Sequence, residues 1–156
     1  RPDAVRSWVA GGAPLDREYA WHQAAKAWQT PGLGEKVMAG LTPEVLGAAL
    51  VAAGVPAADA ATTAAHVDPT MKECILSLYR SAVNAGVEWE DDLRRVSAPG
   101  LVLWGETDPY AAVEFGARLA ERTGARFVSF PGCSHWWQLE RPAEVAAELG
   151  RHWAAV

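Results

Sequence analysis

The feature that most constrains the fold is a change of hydrophobic period between the two halves of the chain. From Asp16 to about Asn84, apolar residues recur at helical spacing between Pro and Gly turns, with no alternation of period two. After a polar segment at residues 88–99, two short apolar runs follow at residues 101–104 and 126–130, each ended by a loop that contains glycine. This change predicts a helical region followed by strands of a sheet.

The helical half carries recognisable start and stop signals. A helix is predicted over residues 17–29, because a turn that contains Pro31 and Gly32 follows it. Thr42-Pro43 and Asp68-Pro69 each place a capping side chain before a proline, which is typical of helix starts. The apolar residues after Asp68 fall on one stripe that is predicted to be buried: Met71, Cys74, Ile75, Leu78, Tyr79, Ala82 and Val83.

The second half has the order strand, helix, strand, helix. One helix is predicted from about Ala111 to Arg122, and the last helix is predicted to bury Val145, Leu149 and Trp153. This order predicts a right-handed βαβ unit in a parallel sheet. Because two strands do not make a stable parallel sheet, further strands are expected to pair along an open edge of the strand at Leu101.

One ionisable residue lies in the loop after each predicted strand. Asp108 follows the first strand and His135 follows the second. Neighbouring strands lie about 4.8 Å apart, so loops from their carboxyl ends can bring a carboxylate to an imidazole. An aspartate on Nδ1–H leaves Nε2 free as a base, which predicts catalysis. Each residue also has an ordinary interpretation, as a turn starter before Pro109 and as a surface histidine.

The two runs together resemble a known family. Residues 101–109 and 131–137, with Glu140-Arg141-Pro142 after them, are similar to the last two strands of α/β-hydrolases that carry a helical cap. Residues 28–32 and 78–81 also resemble cap segments.

The resemblance implies an α/β-hydrolase fold in which a helical cap, residues 1–90, precedes the C-terminal βαβα of the parallel sheet, residues 91–156. The N-terminal strands are then missing from this chain. Asp108 would be the acid and His135 the base of a catalytic triad. Ser134 stands where a glycine is more common in the family, which affects only the local turn.

The family's nucleophile precedes the acid, on a Gly-x-Ser-x-Gly elbow or with aspartate in its place. No such elbow occurs in this sequence. Cys133 and Ser134 adjoin the base and follow no elbow-forming strand-to-helix turn, so neither is expected to be the nucleophile. A complementary N-terminal segment is expected to carry it, and the isolated chain is expected to be inactive.

The resemblance implies hydrolysis of an ester-like bond in a small apolar substrate, without a cofactor. Trp28, Tyr79 and Trp136 are candidates for binding that substrate. The Tyr79 phenol could donate a hydrogen bond to a substrate oxygen, as cap tyrosines do in epoxide hydrolases, or it could pack in the core. The alternatives are an epoxide hydrolase or haloalkane dehalogenase with an aspartate nucleophile, and a non-catalytic relative that binds a ligand.

Charge and composition argue against other classes of protein. The net charge is −5 and the basic residues are scattered, so no nucleic-acid partner is expected. No apolar stretch approaches about 20 residues, so no membrane span is expected. The 2 cysteines are far apart and have no ligand spacing, which favours the cytoplasm and no metal. Metal-ligand spacing is also absent around three further histidines: His22, His66 and His152.

Overall fold

The computed structural model describes residues 4–156, which divide into two compact units. The sheet unit contains the described residues up to Ala20 together with Ala85–Val156, and the helical unit is the continuous segment Trp21–Asn84. The helices of the helical unit are α1 (Gln23–Gln29), α2 (Leu33–Gly40), α3 (Pro43–Ala52), α4 (Ala57–Ala64) and α5 (Pro69–Ser81). Those of the sheet unit are α6 (Ala85–Glu88), α7 (Glu90–Leu93), α8 (Val113–Thr123), α9 (Trp137–Glu140) and α10 (Pro142–Ala154).

The described residues of the sheet unit form one parallel sheet. Its strands lie in the order β1 (Trp8–Ala10), β2 (Gly100–Gly105) and β3 (Arg126–Phe130). The sequence predicted β2 and β3, and both are confirmed. Their register places Gly105 beside Phe130, so the two strands end together and the loops after them leave the same edge of the sheet.

β1 corrects two sequence predictions. The predicted cap covered residues 1–90, but β1 pairs with β2, and the described residues up to Ala20 belong to the sheet unit. The edge of β2 at Leu101 was predicted to be open, but Val9 is its partner there. A buried strand needs partners for its backbone groups on both sides, and β1 supplies them on this side.

Both faces of β2 are buried, as expected for a strand inside a parallel sheet. Leu101 and Leu103 pack on one side with Phe130 and Val145, and Val102 and Trp104 pack on the other with Leu119. Alternate residues therefore meet α10 and α8 on opposite faces. The predicted inner face of the last helix is only partly right, because Trp153 is 57% exposed.

The helical unit begins later than predicted. The helix expected over residues 17–29 starts only at Gln23, directly after its capping residue His22. Asp16 instead forms a separate turn with the residues that follow it. Its carboxylate accepts a hydrogen bond from the Glu18 N–H at 2.9 Å, and its carbonyl accepts one from Tyr19. The Arg118 guanidinium donates two further hydrogen bonds to this buried carboxylate and holds the pKa of Asp16 below its usual value.

The helix caps are as predicted, whereas the buried face of α5 is not. The Thr42 hydroxyl accepts from the Val45 N–H and the Asp68 carboxylate accepts from the Met71 N–H. In α5, however, Leu76 is buried, whereas Leu78 on the predicted stripe is 64% exposed. Among the described residues, no helix combines the length and apolar character needed to cross a bilayer.

Candidate active site

Asp108 lies in the loop after β2 and is fixed there by the backbone that follows it. Its Oδ1 accepts hydrogen bonds from the N–H groups of Tyr110 at 2.8 Å and Ala111 at 3.0 Å. The side chain is fully buried, at 0% exposure. These bonds occupy one oxygen and turn the other, Oδ2, toward the loop after β3.

His135 contacts that second oxygen. Its Nδ1 lies 2.7 Å from Asp108 Oδ2, so the predicted acid and base are in contact. The imidazole is 28% exposed, and two aromatic rings meet it edge to face, Tyr110 at 5.0 Å and Trp136 at 5.2 Å between centroids. With Nδ1 on the carboxylate, Nε2 is the nitrogen available to take a proton, which is the arrangement a general base needs.

Gly12 is a site residue that the sequence analysis missed. It follows β1 with a φ of +58°, and a Cβ at this position would lie 2.9 Å from Cε1 of His135. A side chain is therefore excluded both by the backbone conformation and by the imidazole. The Gly11-Gly12 pair was a possible signal, but β1 was needed to show where it lies.

The two potential nucleophiles next to His135 have other contacts. The Ser134 hydroxyl donates to Glu140 Oε1 at 2.5 Å. Cys133 is buried in the core beside β2, and that burial raises the pKa of its thiol, which disfavours the reactive thiolate. These contacts favour neither residue as the nucleophile.

The other two predicted substrate-binding residues meet within the helical unit. Trp28 and Tyr79 contact each other edge to face with centroids 4.7 Å apart. Trp21 and His22 also contact the Tyr79 ring, at 5.6 and 6.4 Å. Packing explains these positions without a ligand, and a role in binding substrate stays a prediction. No group of His, Cys, Asp and Glu side chains within residues 4–156 could hold a metal ion.

Comparison with known proteins assigns the fold. A model of the alpha/beta hydrolase family matches residues 2–148. Similar solved structures include E-2-(acetamidomethylene)succinate hydrolase, at 20% identity and a TM-score of 0.68, with 97% of this chain and 58% of that chain covered. The enol-lactonase from Burkholderia xenovorans LB400 matches at 20% identity and a TM-score of 0.65, with coverages of 97% and 57%.

A third similar structure is the 2-hydroxy-6-oxo-6-phenylhexa-2,4-dienoate hydrolase from Rhodococcus sp. strain RHA1, at 19% identity and a TM-score of 0.66. The match covers 94% of this chain and 54% of that chain. At these identities the likeness shows the fold. This chain spans little more than half the length of the solved structures that it matches. No curated protein matches it by sequence.

Proposed function

This chain belongs to the alpha/beta hydrolase family, and from that premise we propose that it supplies the acid and the base of a hydrolase that cleaves an ester-like bond. The observation that carries the proposal is the 2.7 Å contact between Asp108 Oδ2 and His135 Nδ1 where two neighbouring parallel strands end. Family members place a nucleophile, an acid and a histidine in this chain order. Asp108 and His135 fill the last two of these roles.

The proposed reaction follows from that geometry. A nucleophilic hydroxyl attacks the ester carbonyl while its proton passes to His135 Nε2, and the buried Asp108 carboxylate stabilises the imidazolium. The imidazolium then returns the proton to the leaving alkoxide. Water, deprotonated by the same nitrogen, attacks the acyl intermediate. The imidazolium then returns this proton to the oxygen of the nucleophile, which releases the acid and regenerates the hydroxyl.

The nucleophile is proposed to come from a complementary N-terminal segment outside this chain. Support comes from the similar hydrolases, since this chain covers only 54–58% of the lengths compared above. β1 is an edge strand among the described residues, and its Val9 is 38% exposed. An apolar cavity of about 340 Å³, lined in part by Val5, Trp8 and Val96, adjoins this strand. A companion strand would pair along β1 and bury this apolar surface.

The helical unit is proposed to act as the cap that selects the substrate. Support comes from its position in the chain, between β1 and β2, and from its cluster of aromatic rings around Tyr79. Trp28, Tyr79 and Trp136 are proposed as residues that bind a small apolar substrate, because aromatic side chains commonly contact such molecules.

A cytoplasmic location is proposed as well. Cys74 and Cys133 are both free, one exposed and the other buried. An exposed thiol persists best in a reducing compartment.

The test begins with the intact mass of the protein from its source, which reports whether a companion segment is present. Hydrolysis of p-nitrophenyl butyrate is then compared between that protein and its His135→Gln and Asp108→Asn variants. His66→Gln is the matched control, because His66 is an exposed histidine of the helical unit whose Nδ1 meets the Thr62 carbonyl at 2.7 Å. We expect turnover to fall by about 10⁴-fold in Asp108→Asn, comparably in His135→Gln, and not in the control.

Three results would count against this proposal. Full activity in His135→Gln would remove the histidine from the reaction. Hydrolysis by the 156-residue chain alone would exclude a nucleophile from a companion segment. Turnover of an epoxide or a haloalkane, with none of the ester, would favour the aspartate-nucleophile alternative.

A further inference from the structure

The loops that carry the acid and the base are joined by hydrogen bonds besides the one between the two catalytic side chains. We call residues 105–109 the acid loop and residues 131–136 the histidine loop. Thr107 donates both its N–H and its hydroxyl to the Cys133 carbonyl, each at 2.9 Å. Glu106 Oε2 accepts the N–H of Gly132 at 3.0 Å. The acid loop therefore holds the backbone of Gly132 and Cys133, the residues that lead to His135.

Glu140 of α9 holds the histidine loop from the other side. Its Oε1 accepts both the N–H of Ser134, at 3.0 Å, and the hydroxyl of Ser134, at 2.5 Å. The same serine oxygen accepts the N–H of Trp136 at 3.3 Å. The residues on both sides of His135 are thus tied, directly or through Ser134, to the Glu140 carboxylate.

These contacts matter because the histidine loop lacks the regular backbone hydrogen bonds of a helix or a strand. Gly132 has a φ of +71°, so the chain turns sharply just after β3. The acid loop also approaches it very closely, since a Cβ on Gly105 would lie 1.9 Å from the Ser134 carbonyl oxygen. A misplacement of about 1 Å in a catalytic group can cost 100-fold in rate. Hydrogen bonds to the backbone beside His135 are therefore suited to fix its imidazole against Asp108.

We propose that Glu106, Thr107 and Glu140 are positioning residues that set the distance between Asp108 and His135. We call these three residues the loop clamp. The clamp acts through the backbone of the histidine loop and touches no substrate. Its importance for catalysis rests on the proposed function of His135, whereas its effect on the Asp108–His135 hydrogen bond can be measured without any substrate.

Two pairs of variants of the full 156-residue chain test the clamp. Thr107→Val removes the hydroxyl donor at nearly constant shape, and Thr107→Ser keeps it. Glu140→Gln removes the charge that strengthens both bonds to Ser134. Glu121→Gln is its control, since Glu121 is an exposed carboxylate of α8 that belongs to neither loop.

The readouts are ¹⁵N NMR of the His135 ring and hydrogen exchange of the Ser134 amide. In Glu140→Gln we expect the amide to exchange about 10-fold faster and the His135 Nδ1 proton to exchange faster or broaden beyond detection. Thr107→Val should broaden the same ring proton, whereas Thr107→Ser and Glu121→Gln should match the parent chain. An unchanged ring proton in both Glu140→Gln and Thr107→Val would overturn the proposal, because those side chains would then stabilise only the loop.

Hydrolysis separates this inference from the proposed function. In a preparation that turns over p-nitrophenyl butyrate, Glu140→Gln should lower kcat about 10-fold with KM nearly unchanged. If the ring proton responds but no preparation hydrolyses the ester, the clamp stands and the ester activity fails. If kcat is unchanged in an active preparation, the clamp does not position the base.

Discussion

Replacing Gly12 by alanine should displace the imidazole of His135 relative to Asp108, in addition to lowering the stability of the fold. The new Cβ would lie 2.9 Å from His135 Cε1 and 3.3 Å from Nδ1. Because carbon atoms pack best about 3.5–4.0 Å apart, the imidazole must move by about half an ångström or more. This movement changes the position of the nitrogen that meets Asp108 Oδ2.

Two costs add at Gly12, and a second glycine separates them. A non-glycine residue at a φ of +58° loses about 1–2 kcal/mol, and the forced contact adds about 1–3 kcal/mol. Gly124, which ends α8, has a similar φ of +68°, but no atom lies within 4 Å of its added Cβ. Gly124→Ala should therefore show the backbone cost alone.

Urea denaturation of both variants, together with the NMR signal of the His135 Nδ1 proton, tests this reasoning. We expect Gly12→Ala to lose about 2–5 kcal/mol of unfolding free energy and Gly124→Ala about 1–2 kcal/mol. Only Gly12→Ala should shift or broaden the ring proton. Equal losses in both variants, with an unchanged ring proton, would refute the inference that Gly12 is required by the imidazole.

Asp16→Asn should lower the unfolding free energy near neutral pH, because it weakens the hydrogen bonds from Arg118 to this carboxylate. The expected loss is only about 1–3 kcal/mol, since the half-exposed Arg118 is screened by solvent. Because Arg118 lowers the pKa of Asp16 in the folded chain, the parent chain loses this stabilisation as the pH falls below about 4. The difference in unfolding free energy between the parent chain and Asp16→Asn should therefore be smaller at pH 3 than at pH 7. A difference independent of pH would contradict this. Thiol titration should label exposed Cys74 in the native chain and buried Cys133 only after unfolding; equal rates would show that Cys133 is accessible.

Much of the site could be predicted from the sequence because it depends on local features. β2 and β3 are short apolar runs that stop at glycine-containing loops, and Asp108 and His135 follow them at similar distances. Parallel pairing then brings these loops to one edge whatever the rest of the chain does. For the same reason the caps at Thr42 and Asp68 were correct, since each depends on a side chain and the next three residues.

The sequence alone determined the βαβ order, the helix caps and the placement of an acid and a histidine directly after two strands, since local spacing encodes all three. Only the tertiary structure decided that Trp8–Ala10 is a strand. Three residues are too few to show a hydrophobic period, and they are a strand because they pair with β2. The tertiary structure also decided that Leu78 is exposed while Leu76 is buried, because α5 carries apolar residues on more than one face and only packing selects between them. The position of Gly12 beside His135 also depends on the tertiary structure, because the two residues are more than a hundred positions apart and meet only when β1 pairs with the sheet.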